Sequence, residues 1–101
     1  MGVEVHVLGR IGLGRFSEFV AAAQPWLEYR ASKGRAPCRI LQALSGEMNA
    51  VRLVFTYPDL NAYEREEAED SADPEYGRVA GAMPFVEGTL VYEIYTETAT
   101  R

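Results

Sequence analysis

Cysteine and histidine are scarce in this sequence of 101 residues, and their scarcity excludes several kinds of site. The chain has one cysteine, Cys38, and one histidine, His6. A single cysteine cannot form an intrachain disulfide. Zinc takes three or four His, Cys or acidic ligands, and no histidine lies in the second predicted helix to hold haem iron. We therefore expect a protein that uses no metal and no cofactor.

Membrane and targeting signals are also missing. No apolar run reaches the roughly 18 residues that a membrane span needs. The polar residues Glu4 and His6 interrupt the first strand-like run, so we expect no signal peptide. These features predict a cytoplasmic protein with no membrane partner.

Basic residues are outnumbered by acidic ones. Ten Lys and Arg against 15 Asp and Glu give a formal net charge of -5, whereas nucleic-acid binders are usually basic. We therefore expect no nucleic-acid partner. Five of the seven residues from 64 to 70 are acidic, which is typical of a solvated helix face. They lack the spacing of an EF-hand calcium loop.

The periodicity of apolar residues in the first third of the chain predicts a strand and then a helix. The run "VEVHV" alternates as a half-buried strand does. In "RFSEFVAAAQPWLEYRASKG" apolar residues recur three and four positions apart; the predicted stripe is Phe16, Phe19, Val20, Ala23 and Leu27. Pro25 removes a helical hydrogen bond, so we expect a kink or two shorter helices there.

The rest of the chain completes a β-α-β-β-α-β order. A hairpin is predicted with strands over 38–44 and 51–57, followed by an acidic helix capped by Asp59. Asp73, before a proline, caps a second helical segment, and "TLVYEIYTET" is the last strand. This order is the ferredoxin-like split unit, an α+β fold. We expect one domain over residues 1–101, with an antiparallel sheet covered by helices on one face.

The two faces of the predicted sheet differ in character. The face that we expect under the helices is apolar: Val5, Val7, Val51, Leu53, Phe55, Leu90, Tyr92 and Ile94. The opposite face mixes charged, polar and apolar residues: Glu4, His6, Leu8, Arg10, Arg52, Val54, Thr56, Val91, Glu93 and Tyr95. A half-apolar surface of this kind favours burial against a second copy of the chain.

The glycines of "LGRIGLGRF" raise the question of a nucleotide-binding loop. Gly12 and Gly14 follow a strand and precede a helix, as in a dinucleotide fingerprint. However, Ser17 stands where that fingerprint has a third glycine or alanine, and the second strand enters a hairpin rather than a βαβ unit. We interpret these glycines as turn residues.

Three motifs, in order along nearly the whole chain, resemble the NIPSNAP-like branch of the dimeric α/β-barrel superfamily. "GEMNAVRLVFTYPDLNAYE" is similar to a "G-x-x-N" turn that leads into a strand ending in aromatic-x-Tyr and then a helix. "GLGRFSEF" resembles the helix start "K-P-G-x-x-x-E-F", with Gly14, Glu18 and Phe19 matching. "ADPEYG" resembles "A-D-P-E-W", with Tyr76 in place of the tryptophan, and Pro25 is similar to a mid-helix proline of these proteins.

The resemblance implies a homodimer whose two sheets face each other as a barrel. It also implies a small-molecule cavity between the sheet and the helices of each protomer. Enzymes of the superfamily include polyketide cyclases that use no cofactor, cofactor-independent monooxygenases and haem-degrading enzymes. The catalytic "H-P-x-H" segment of plant polyketide cyclases resembles "DPEY" here, with Tyr76 in the place of the second histidine. His6 falls on the dimer-facing side, where we expect a structural role.

The candidate site follows from these expectations. Tyr76 is the candidate proton donor, with Asp70 or Glu67 beside it as the orienting group or base. The candidate substrate-binding residues are Phe19, Trp26, Phe55, Tyr57, Tyr63 and Tyr92. We expect a cofactor-free cyclase, lyase or isomerase acting on an aromatic or polyketide-like molecule. The alternatives are a cofactor-independent monooxygenase and a non-catalytic binding or assembly protein. A pocket of a few hundred Å³ would favour an enzyme, and a filled core would favour the last alternative.

Overall fold

The computed structural model describes residues 2–98. The strands are β1 (Val3–Arg10), β2 (Cys38–Gln42), β3 (Ala50–Tyr57) and β4 (Val91–Thr96), and the helices are α1 (Phe16–Ser32), α2 (Leu60–Ser71) and α3 (Pro74–Gly81). The sheet order is β2-β3-β1-β4, and all three strand pairs are antiparallel. The predicted α+β, ferredoxin-like fold is confirmed, with the second helical region divided into α2 and α3.

Helix α1 runs without interruption through Pro25. The prediction of two shorter helices is therefore wrong. Pro25 and Ala21, four residues earlier, are both exposed. The Ala21 carbonyl, which loses its helical donor to the proline, lies on the solvent side, where water can hydrogen-bond to it.

The buried stripe of α1 is rotated from the predicted one. Phe19 and Ala23 are buried as predicted, but the stripe continues through Trp26 and Arg30. Val20 is exposed instead. Arg30 occupies a core position because it has buried partners, which a count of apolar residues does not anticipate.

The helices cover the two central strands better than the edge strand β4. Val5 and Val7 of β1 and Val51, Leu53 and Phe55 of β3 are buried, as predicted. The predicted burial of Leu90, Tyr92 and Ile94 is wrong, since each is about half exposed. Trp26 of α1 packs against Phe55 of β3, and Tyr63 of α2 packs against Tyr57 of β3, whereas the apolar residues of β4 stay open along one side.

The face of the sheet without helices carries a polar network around His6. Arg52 Nη1 lies 2.8 Å from His6 Nδ1, and His6 Nε2 lies 2.8 Å from Glu4 Oε1. An arginine only donates, so His6 Nδ1 accepts and Nε2–H donates to Glu4. Arg52 also lies 3.5 Å from Glu93 Oε1, whose carboxylate accepts from the Tyr95 hydroxyl at 2.6 Å.

Helix caps and turns form where the sequence predicts them. The Asp59 side chain accepts from Ala62 N at the start of α2, and the Asp73 side chain accepts from Glu75 N at the start of α3. Gly14 has φ +77° in the turn before α1, a conformation that favours glycine. Among residues 2–98 no helix is both long and apolar enough to cross a bilayer; the cytoplasmic location stays a prediction.

Candidate functional site

A pocket of about 110 Å³ lies between the helices and the sheet. Six of the predicted residues line it: Trp26, Phe55, Tyr57, Tyr63, Tyr92 and Tyr76, together with Asp70. Glu67 and Tyr92, both exposed, place its mouth between α2 and β4. The seventh predicted aromatic residue, Phe19, is not part of the lining; it is buried in the core and packs against Phe85, with ring centroids 5.6 Å apart.

The volume of this pocket is smaller than the few hundred Å³ that the sequence analysis expects of an enzyme. An apolar cavity of about 150 Å³ takes one benzene molecule, so 110 Å³ corresponds to about one ring. A larger molecule would have to extend through the mouth, past the open side of β4. The space between helices and sheet is therefore not filled, but the pocket is smaller than the one expected of an enzyme.

A larger depression of about 600 Å³ lies elsewhere, on the open face of the sheet. It is lined by residues at the strand ends, among them Glu4, Thr56 and Tyr95, and by Glu97 and Thr98. It is lined by one aromatic residue, whereas the smaller pocket is lined by several aromatic side chains and by Arg30, Glu67 and Asp70. The smaller pocket has the character of a small-molecule site.

Helix α2 presents two kinds of carboxylate because of its register. Tyr63, Glu67 and Asp70 recur four and three positions apart and line the pocket. Glu66, one position before Glu67, lies toward α1 at the edge of the same helix face, where it meets Arg30. The prediction that the acidic run is a solvated face is thus wrong for Glu66 and Asp70, which are largely buried.

Glu66 forms a closed network with residues of α1 and β3. Arg30 Nη2 donates to Glu66 Oε2 at 3.2 Å and to the Ala36 carbonyl at 2.6 Å. Ala36 N donates to Glu66 Oε1 at 2.9 Å, and the Tyr57 hydroxyl donates to Glu66 Oε2. Burial, together with the hydrogen bond to Glu66, raises the pKa of Tyr57. Every polar atom of the Glu66 carboxylate is therefore used in holding α1, α2 and β3 together.

Asp70 is similarly engaged. Arg35 Nε donates to Asp70 Oδ1 at 2.9 Å, and the Tyr29 hydroxyl lies 3.4 Å from the same oxygen. Tyr29 also donates to Asp73 Oδ2 at 2.8 Å. No hydrogen bond joins Asp70 to the Tyr76 hydroxyl in the part of the chain from residue 2 to 98. The structure thus brings the predicted pair to one pocket without bonding the two side chains to each other.

Glu67 differs from its neighbours because it has no cation within ion-pair distance among the described residues. Partial burial raises the pKa of Glu67, the charges of Asp70 and Glu66 raise it further, and the charge of Arg30 lowers it. Burial is also the largest cause that raises the pKa of Tyr76, to about 12, with Tyr92, Glu67 and Asp70 adding to it and Arg30 opposing it. Partial burial and then Glu67 raise the pKa of Tyr92. The mouth thus holds a carboxyl whose pKa is raised and phenols whose pKa values are raised as well.

Arg30 is a charged pocket residue that the sequence analysis does not name. Its side chain lies over the ring of Phe55, with Cζ 4.6 Å from the ring centroid, and 5.4 Å from the Trp26 centroid. The signal that could have found it is its position four residues after Trp26 and seven after Ala23, on the buried stripe. An arginine at such a position indicates a buried partner or a ligand.

Within residues 2–98 no three or more His, Cys, Asp and Glu side chains are grouped so as to hold a metal ion. The groups of the candidate site that can act on a ligand are its aromatic side chains, its carboxyl groups and Arg30.

No protein-family model matches this sequence, and no curated protein does. Solved structures with the same fold include an uncharacterized NIPSNAP domain protein from Burkholderia xenovorans, 23% identical, with a TM-score of 0.78 over 98% of this chain and 96% of that one. A NIPSNAP family protein from Agrobacterium tumefaciens is 12% identical, with a TM-score of 0.79 over 97% and 94%. SnoaB from Streptomyces nogalater, a cofactor-independent oxygenase, is 18% identical, with a TM-score of 0.72 over 98% and 95%.

These similarities define the class of fold. The chain has the ferredoxin-like fold of NIPSNAP proteins and related dimeric α/β-barrel proteins. The resemblance found in the sequence motifs is confirmed at this level, over nearly the whole chain. The activity of this chain has to be argued from its own pocket.

Proposed function

We propose that the pocket binds a small aromatic or unsaturated molecule and transfers a proton on it without a cofactor. The observation that carries this proposal is Glu67: a carboxyl at the pocket mouth, with a raised pKa, no cation partner among residues 2–98, and two phenols beside it on the same pocket. A carboxyl freed from ion pairs and raised in pKa is suited to general acid–base chemistry.

The reaction that fits these groups is deprotonation of a C–H next to a carbonyl. The Glu67 carboxylate takes the proton, and the electron pair of the broken C–H bond moves onto the carbonyl oxygen as an enolate. Tyr76, whose pKa is raised to about 12, stays protonated at neutral pH and donates a hydrogen bond to that oxygen. Return of the proton from Glu67 to another carbon gives an isomer. Attack of the enolate carbon on a second carbonyl forms a ring and an alkoxide, which takes the proton back from Glu67.

In this proposal Asp70 is not the base. Its carboxylate accepts from Arg35 at 2.9 Å, and an ion-paired carboxylate is a poor proton acceptor. We therefore assign it as a positioning residue that fixes α2 and raises the pKa of Glu67 by its charge. This keeps the orienting role predicted for Asp70 and gives the role of base to Glu67.

A one-ring ketone tests the proposal without knowledge of the natural substrate. We expect the protein to accelerate the exchange of the CH₂ protons of 2-indanone for deuterium, followed by ¹H NMR in D₂O. Glu67→Gln and Tyr76→Phe are each expected to lower the rate about 10²–10⁴-fold, while far-UV circular dichroism stays unchanged. The matched control is Glu64→Gln, an exposed acid of the same helix. Equal rates for the wild type and Glu67→Gln would contradict the proposal.

Two other functions have support from particular observations. A cofactor-independent oxygenase would begin with the same deprotonation, and SnoaB, which is described as such an oxygenase, has this fold; oxygen uptake that depends on Glu67 would favour it. A binding protein without catalysis is supported by the pocket volume of about 110 Å³. Saturable binding of 2-indanone with no exchange above the control variants would favour that function.

We also propose that the chain forms a homodimer through the open face of its sheet. Support comes from the mixture of apolar side chains with the Arg52–His6–Glu4 network on that face. Light scattering at micromolar concentration is expected to give the mass of two chains. Arg52→Ala is expected to shift the equilibrium toward the monomer, whereas Arg78→Ala, on the exposed surface of α3, leaves it unchanged. A stable wild-type monomer would contradict the proposal.

A further inference from the structure

Two side chains at the inner end of the pocket carry buried donors that have no acceptor among the described residues. Trp26 Nε1 and Arg30 Nε are shielded from solvent and have no hydrogen-bond partner within residues 2–98. Both side chains line the pocket, and they are 3% and 5% exposed, respectively. They are also neighbours, since the Arg30 guanidinium carbon is 5.4 Å from the Trp26 ring centroid.

We propose that these two N–H groups bind a carboxylate oxygen of the ligand, and that the ligand is a small planar acid whose reacting carbonyl lies at its other end, near Tyr76. This inference rests on the function proposed above and names the substrate class for the same pocket. The oxygen would enter between Trp26 and Arg30, while the rest of the molecule extends toward Glu67 and Tyr76 at the mouth.

The first argument is that buried donors without acceptors are rare in native proteins. More than nine in ten buried polar groups have a partner, because an unsatisfied donor carries its whole desolvation cost. Arg30 is otherwise well satisfied: its Nη2 donates to the Ala36 carbonyl and to Glu66. Its Nε remains without an acceptor on the side chain that borders the pocket, as does the indole N–H of Trp26.

The second argument concerns charge and shape. The pocket combines one guanidinium with walls made of Trp26, Phe55 and Tyr76, so a negatively charged oxygen on a flat body matches both features. The volume of about 110 Å³ admits one ring with a small substituent. A ligand with several fused rings would place one end inside and the remainder outside the mouth.

The single tryptophan of the chain makes the proposal directly measurable. Benzoate is the probe, and benzylamine, of similar size and without an acceptor oxygen, is the matched control ligand. In ¹H–¹⁵N spectra, the one indole N–H signal is expected to move downfield on titration with benzoate, as it does on forming a hydrogen bond to a carboxylate. Benzylamine is expected to leave it in place or move it upfield. A downfield shift with both ligands, or with neither, would overturn the proposal.

A variant gives an independent measurement. Trp26→Phe keeps an aromatic wall and removes the N–H, and we expect it to weaken benzoate binding about 10-fold or more while changing benzylamine binding less than about twofold. If this variant does not fold, Tyr76→Phe in the wild-type background serves as the second variant, because it leaves both inner donors in place: the downfield shift of the indole signal with benzoate must persist. Loss of that shift in Tyr76→Phe would overturn the assignment of the oxygen to the inner wall.

The outcomes separate this inference from the proposed function. Exchange of 2-indanone protons that depends on Glu67, together with an indole signal indifferent to benzoate, would overturn the inference and leave the function standing. An indole signal that moves with benzoate, together with no exchange above the Glu67→Gln rate, would support the inference as a binding site and remove the catalytic function.

Discussion

The acidic residues of helix α2 differ sharply although they come from one run of sequence. Glu66 and Asp70 are buried and meet Arg30 and Arg35. Glu67, at the pocket mouth, is exposed and has no cation partner among the described residues. A single turn of the helix thus separates carboxylates that hold the fold together from one whose pKa is raised.

This difference shows that the position of each acidic residue on the helix, rather than the number of acids, decides whether it forms a structural ion pair or remains available for proton transfer. Arg30 and Arg35 form ion pairs with Glu66 and Asp70 in the interior. The same two acids then act on Glu67 as like charges, which favours its protonated form. The two ion-paired acids are therefore part of the reason why Glu67 is suited to proton transfer.

The largest expected effect comes from removing Arg30. Arg30→Ala leaves the Glu66 carboxylate, 12% exposed, without its cation, and we expect it to lower the free energy of unfolding by about 3–5 kcal/mol. The double variant Arg30→Met with Glu66→Gln removes both charges and is expected to recover much of that loss. Urea denaturation measures both. A loss below about 1 kcal/mol in Arg30→Ala would mean that the pair is not buried.

A smaller effect is expected for Asp70→Asn. The variant keeps the shape but weakens the bond to Arg35, so we expect a loss of about 1–3 kcal/mol in the free energy of unfolding. Its exchange rate on 2-indanone should fall less than about 10-fold, since Asp70 acts through position and charge. Glu69→Gln, the exposed partner of Arg35, is the control and should cost less than about 1 kcal/mol. A rate for Asp70→Asn as low as that of Glu67→Gln would instead identify Asp70 as the base.

The smallest effect has the opposite sign. The pKa of Glu67 is raised in the folded protein, so the folded state binds more protons and loses stability as the pH rises from the unfolded pKa to the folded one. Glu67→Gln, which mimics the protonated form, is expected to stabilise the protein at pH 7 by less than about 1 kcal/mol because Glu67 is partly exposed. The gain should vanish below about pH 4. Thermal unfolding at both pH values, with Glu64→Gln as the control, checks this; destabilisation at pH 7 would contradict it.

The sequence predicts local features of this molecule well. Asp59 and Asp73 act as helix caps at the predicted positions, because a cap depends on residues two or three positions away. The succession of strands and helices along the chain follows from the alternation of apolar residues and from the short hairpin. Six of the seven predicted aromatic residues reach one pocket, since a helix period and a strand period fix which side chains share a face.

The rest depends on contacts between residues far apart in the chain. Glu66 and Asp70 meet arginines 36 and 35 positions away, and no local pattern reveals such a pair. For the same reason Arg30 is absent from the predicted site, although it lies on the buried stripe. The exposure of Leu90, Tyr92 and Ile94 depends on how far the helices extend over the sheet edge, which periodicity does not specify.

The pKa of the Glu67 side chain tests the central claim of this account most directly. A ¹³C NMR titration of the glutamate carboxyl groups, with the Glu67 signal assigned by its disappearance in Glu67→Gln, measures that pKa in the intact protein. We predict a value above that of an ordinary glutamate, about 4.3, and a decrease toward it in Asp70→Asn, where one neighbouring negative charge is removed. A pKa at or below the ordinary value would identify Glu67 as another ionised surface acid and would contradict its role as the base of the pocket.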